Sequence, residues 1–317
     1  MRKHRKLLIT AIVLLIAGAV ICGASFAGLG FSVKALASGN YVTNSYEITE
    51  EFRSISVQGD TEEIVFAPSE DGTCKVVCFE DEQEPHQVRV EKETLLIDRQ
   101  NSRKWKINFF SEPETITVYL PETVYGDLVV DADTGNVTVP DDFTFDSIQV
   151  KLDTGNIDLS ASAKGAAVLD NDTGRIEIHE MSAGSITLSN DTGYIGAKQV
   201  TCAETFETSS TTGKTELSDV TAADLYSDGD TGSLVLSNVI ATGEFHIERE
   251  TGSVRFEGCD AEAIYVETDT GSVTGTLLSD KVFFAESDTG SVNVPKTITG
   301  GRCEITTDTG SINISIE

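Results

Sequence analysis

The sequence predicts an all-β protein: a parallel, β-helix-like β-solenoid of about ten 19–20-residue coils, with an N-terminal β cap, preceded by one transmembrane helix. Three observations carry this expectation. A triplet ending in glycine recurs at Gly135, Gly155, Gly174, Gly193, Gly213, Gly232, Gly252, Gly271, Gly290 and Gly310, always 19 or 20 residues apart. A fixed interval of that length marks a solenoid in which each repeat is one structural unit. Apolar and polar residues alternate on both sides of each triplet, the period of strands with one buried face. Val, Ile, Thr, Ser, Gly and Asp dominate after residue 45, a composition suited to strands.

The chain opens on a basic tail, residues 1–6, containing Arg2, Lys3, Arg5 and Lys6. Residues 7–31 carry no charge and are long enough to cross a bilayer as a signal-anchor helix. The basic cluster before them, with only Lys34 close behind, orients the N-terminus to the cytoplasm by the positive-inside rule. The expected location is therefore a cell membrane, crossed once, with the C-terminal domain extracytoplasmic. Ala35-Leu36-Ala37 also reads as a cleavage site, so a removed signal peptide is the alternative. Residues 32–45 read as a polar tether. Residues 46–126 lack the triplet but hold strand-like runs such as "CKVVCF" and "TITVYLP", and are expected to form the β cap over the first coil.

Residues 127–317 are the repeats. Two residues after each glycine stand Val137, Ile157, Ile176, Ile195, Thr215, Leu234, Val254, Val273, Val292 and Ile312, one side of the expected core. Eight of the ten triplets read Asp-Thr-Gly, with Asp133, Asp153, Asp172, Asp191, Asp230, Asp269, Asp288 and Asp308. "DTGS" at 288–291 also spells an aspartic-protease loop, but that chemistry needs two facing aspartates sharing a proton, not eight at a regular interval. The triplet is instead expected to be a turn: Asp accepts from the glycine amide, and Gly supplies a positive φ. A three-residue loop ending in Gly also makes a hairpin, which would give an antiparallel meander. Near-identical successive repeats favour the solenoid, where equal side chains stack.

The net charge of −29 argues against nucleic acid and anionic lipid as partners, and favours cations or basic proteins, or simply solubility. Five cysteines follow residue 31, an odd number. Cys74 and Cys78 are four residues apart on one probable strand, about 13 Å and too far for a disulfide. All five are expected as small buried hydrophobes. The four histidines lack metal-ligand spacing, so no metal and no cofactor is expected.

The basic tail and apolar segment, "YEITEEFRSISV", the serial "DTGSV" and "DTGNV" coils, and "TGSVTGTLLSDKV" with "GGRCEITTDTGSINI" together resemble the putative-adhesin family of bacterial membrane proteins, which includes LiaG-like envelope proteins. The resemblance covers nearly the whole chain. It implies a membrane-anchored extracytoplasmic β-solenoid connected with envelope stress, and carries over no catalytic residue.

The function expected is a non-enzymatic, adhesin-like surface module binding a glycan, a cell-wall polymer or a basic protein. The alternatives are a polysaccharide-active β-helix enzyme and a cation-binding ladder of triplet aspartates. Evenly spread acids and the absence of long coil insertions speak against the enzyme. The candidate binding surface lies six residues before the glycine, where four consecutive coils carry Tyr226, His246, Tyr265 and Phe284. Two positions on, Asp228, Glu248, Glu267 and Glu286 form an acidic companion. Stacked in chain order, these would make an outward aromatic column beside carboxylates.

Overall fold

The computed structural model describes residues 40–99 and 113–317, with Leu15 and Gly18 as single residues. The basic tail and the membrane segment expected at 7–31 otherwise lie outside the described residues. Among the described residues no helix is long and apolar enough to cross a membrane.

Each triplet lies where the chain bends between two strands or within one long strand, as in Val124–Val139 and Thr144–Leu159. Coils pair in parallel and in register, glycine opposite glycine: Gly135 with Gly155, then Gly174, Gly193 and Gly213. Parallel pairing rules out the meander. The column from Val137 through Ile157, Ile176 and Ile195 is buried, as are the inward residues of the preceding strand, such as Val130, Val150, Leu169 and Leu188. A third side closes each coil with small residues, and Ala163, Ala183, Cys202, Ala222 and Ala241 are all buried there. The cysteines at 74, 78, 202, 259 and 303 are free and buried, as expected.

A second corner was not visible in the sequence. Glu180, Gln199, Asp219 and Asn238 take φ values of 50°, 56°, 55° and 53°, and Gly258 takes 63°. The left-handed conformation thus recurs once per coil over five coils, on five different residue types. Backbone geometry is periodic there although the letters are not.

At both ends, coil order departs from chain order. Ser54–Gly59 and Glu63–Pro68 form a coil in register with the first triplet coil, Ile55 opposite Leu128 and Ile64 opposite Val137. Thr94–Asp98 and Thr115–Leu120 form another coil outside it. So part of the segment expected as a cap is solenoid. The antiparallel strands Cys74–Asp81 and Gln87–Glu91 then cover the outer coil, and Tyr41–Ile48 pairs with Cys74–Asp81. Residues 41–45, read as the end of a tether, therefore belong to a strand, pinned by the Tyr41 ring at 5.5 Å from Phe79.

At the carboxyl end, Ala263–Thr270 pairs with Gly301–Thr309, and Gly301–Thr309 pairs with Lys281–Thr289. The last coil in sequence is inserted between two earlier ones. Gly300 and Gly301 bring the chain into that gap: a Cβ on Gly300 would stand 1.8 Å from the Asp280 carbonyl oxygen, and one on Gly301 1.8 Å from that of Glu262.

Candidate functional site

The inserted coil revises the aromatic column. Tyr226 lies opposite His246 and His246 opposite Tyr265, but Tyr265 lies opposite Glu304, and only Glu304 reaches Phe284. Asp228, Glu248 and Glu267 likewise stack consecutively, and Thr306 separates Glu267 from Glu286. The chain-order expectation failed because near-identical coils fit one another equally well, so sequence adjacency does not dictate spatial adjacency.

A continuous surface of three aromatic rings and three acids remains. Ring centroids are 5.9 Å apart for Tyr226 and His246 and 6.1 Å for His246 and Tyr265, with tilts of 37° and 44°. His246 Nε2 lies 3.0 Å from Glu248 Oε1, and the Tyr226 hydroxyl donates to Glu244 Oε1 at 3.0 Å. That carboxylate acceptor pushes the Tyr226 phenol pKa up. An open cleft of about 210 Å³ runs beside His246, Glu248, Tyr265, Glu267, Glu304 and Thr306. Phe284 stands apart, with the Arg302 guanidinium 4.5 Å from its ring centre and Arg302 Nε donating to Glu304 at 3.0 Å.

The triplet works differently from a side-chain-capped turn. Gly232, Gly252, Gly271 and Gly310 amides donate to threonine carbonyls of the adjacent coil at 2.8–3.0 Å, not to the acid of their own triplet. Of the triplet aspartates, seven are exposed and Asp230 is half-buried. Glycine is needed for close approach: a Cβ at Gly155, Gly174, Gly193, Gly213, Gly232 or Gly252 would stand 1.6–1.9 Å from the carbonyl oxygen of the preceding coil's glycine.

Those carbonyls have partners that sequence reasoning missed. Three residues before the glycine, inward polar side chains donate to a neighbouring glycine oxygen: Asn171 to Gly155 at 3.0 Å, Asn190 to Gly174 at 2.9 Å, Thr307 to Gly271 at 3.0 Å and Ser287 to Gly310 at 2.8 Å. A polar residue on the buried phase of those strands was the available signal. Arg249 occupies this column too, buried, with Nη2 donating to Ser227 at 2.7 Å into space left by Gly229. Burial lowers its pKa to about 10. Outside it lies a depression of about 200 Å³ edged by Asp228, Asp230, Glu248, Glu250, Glu267 and Asp269.

The family model described as Toastrack DUF4097 matches residues 52–210 and 176–317. No curated protein matches the chain in sequence. Among solved structures, a putative lipid binding protein from Parabacteroides distasonis ATCC 8503 is 17% identical, over 76% of this chain and 98% of that one, with a TM-score of 0.47. A putative adhesin from the same strain is 12% identical over 87% and 98%, with a TM-score of 0.44. A putative adhesin from Bacteroides fragilis NCTC 9343 is 15% identical over 88% and 99%, with a TM-score of 0.38.

Proposed function

The chain belongs to the Toastrack DUF4097 family, and we propose that it is a non-enzymatic, membrane-anchored, extracytoplasmic module that docks an envelope glycan on the Tyr226–His246–Tyr265 face. One observation carries the reading: aromatic rings at 5.9 and 6.1 Å repeat beside an open cleft bordered by carboxylates. Tyrosine and histidine rings offer flat apolar faces to the C–H side of a sugar, and Glu248, Glu267 and Glu304 accept hydrogen bonds from its hydroxyls. Repetition at the coil spacing suits a polymer. Anchoring rests on the apolar residues 7–31, and a link to envelope stress rests on the family resemblance alone.

The test is the double substitution Tyr226→Ser with Tyr265→Ser, assayed for melting temperature and for attachment to isolated cell-wall material. Attachment falls while melting barely moves if the face binds. A drop of several degrees with unchanged attachment per folded molecule makes the column a structural ladder and overturns the assignment. Attachment that persists in the double variant but is abolished by Ca²⁺ chelation transfers the role to the acids.

A further inference from the structure

Strand Cys74–Asp81 sends Cys78 and Glu80 to the same inner face, because residues two apart on a strand point the same way. The chain turns through 82–85 and brings His86 back to that point. All three are buried, and one ligand atom from each lies within 4.8 Å of the others. Among the described residues this is the one such convergence of histidine, cysteine and carboxylate atoms.

We propose that Cys78 Sγ, Glu80 Oε2 and His86 Nδ1 bind one divalent transition-metal ion of zinc type. The surroundings hold each ligand in place. Glu80 Oε1 accepts from Asn44 Nδ2 at 2.6 Å and faces the Tyr46 hydroxyl at 3.5 Å, while Oε2 accepts the His86 amide at 2.6 Å and lies against His86 Nδ1. The other ring nitrogen, His86 Nε2, lies 3.2 Å from Glu62 Oε1. A carboxylate behind the far nitrogen is the arrangement that orients metal-ligating histidines. Glu62 is itself fixed: its Oε2 accepts the amides of Asp60 and Thr61 at 2.6 and 2.9 Å, and Arg99 Nη1 lies 2.9 Å from its Oε1.

The donor set selects the ion. A thiolate, an imidazole and one carboxylate suit zinc and its neighbours and are poor for calcium or magnesium, which take oxygen shells. Charge balances as well, since thiolate and Glu80 offset the ion while Arg99 offsets Glu62. On binding, three metal–ligand bonds form, the Cys78 S–H bond breaks, and the hydrogen between His86 Nδ1 and Glu80 leaves; both protons go to solvent. A water would complete the tetrahedron. The ion would close the turn from Cys78 to His86, and the His86 Nε2 contact with Glu62 joins that turn to the coil beneath. The sequence hid this group because Cys78 and Glu80 read as strand residues and His86 stands alone.

The full chain, freed of metal by chelation, is titrated with Co²⁺. The expected result is one Co²⁺ per chain with a near-ultraviolet thiolate-to-cobalt band, displaced by Zn²⁺, and a higher melting temperature with Zn²⁺ bound. Cys78→Ala abolishes the band and Cys303→Ala keeps it. Glu62→Gln weakens binding by about 10–100-fold. Should Cys78→Ala fail to fold, Cys78→Ser and the unmutated chain still decide. Co²⁺ binding without the band means the acidic surface alone binds it, and overturns the site. So does a band that survives in Cys78→Ser.

Discussion

Adding one methyl group at Gly252 tests the reason for the repeated glycine. A Cβ built there lies 1.8 Å from the Gly232 carbonyl oxygen and 2.6 Å from its carbon. Real contacts start above 3.0 Å, so the two coils must separate by more than an ångström locally. Three inter-coil bonds are within reach of that displacement: Gly232 N to Thr251 O at 2.8 Å, Gly252 N to Thr270 O at 2.9 Å and Val254 N to Ser272 O at 3.0 Å. Each contributes about 1 kcal/mol net, and forced overpacking adds about 1–3 kcal/mol. Gly252→Val should therefore destabilise by about 4–6 kcal/mol. Gly252→Ala should cost most of the same, because the clash is with Cβ. Asp288→Asn, on an exposed side chain of the outermost coil, should stay within about 0.5 kcal/mol. Urea unfolding of the three variants gives the midpoints. A tolerated Gly252→Ala would refute the close-approach argument, and equal midpoints for Gly252→Val and Asp288→Asn would remove any special role for this glycine.

Other expectations follow from burial, titration and topology. Ile305, fully buried in the inserted coil, should cost about 2–5 kcal/mol on truncation to Ala; a cost below 1 kcal/mol in urea melts would mean the coil is not packed as described. Burial pushes the Cys303 thiol from 9.0 up to about 12. Between those values the unfolded chain's thiol ionises while the folded one keeps its proton, so its contribution is intact below the lower pH and is lost as pH rises toward the higher. Native protein at pH 9 should resist alkylation at Cys303 until urea is added, and ready labelling without urea would contradict its burial. A membrane-impermeant thiol probe should label Ser45→Cys on intact cells and miss a cysteine placed at Met1; the reverse pattern would invert the proposed orientation.

The triplet period made the coils, their parallel register and the buried columns readable in advance, except at Val292, which is exposed on the outermost coil. Equal spacing brings Val137, Ile157 and Ile176 into one stack only if every coil has the same path. Coil order was harder to read. Repeats that are nearly interchangeable carry no information about which neighbour each will choose, and the one local mark of the exchange is Gly300-Gly301. The left-handed corner at Glu180, Gln199, Asp219 and Asn238 left no common residue type to detect. The candidate surface was half readable. Tyr226, His246 and Tyr265 adjoin as expected, while Phe284 was displaced by an insertion arising from residues far along the chain.

The exchanged coils at the two ends change what kind of object can come loose. In an ordinary stacked array the outermost repeat is a free tail, and its release gains the full conformational freedom of a dangling chain. Here the outermost triplet coil, Lys281–Thr289 with Val292–Asn293, is joined on one side to Leu277 and on the other to a strand clamped inside the stack. At the opposite end, the coil of Thr94–Asp98 and Thr115–Leu120 runs on directly into Val124–Val139, a strand held within the stack. Either coil, once detached, is a closed loop tethered at both feet, and a closed loop gains less entropy than a tail of equal length. The array is therefore protected against unravelling from its outermost coils by the way the chain is threaded, before any side chain is counted.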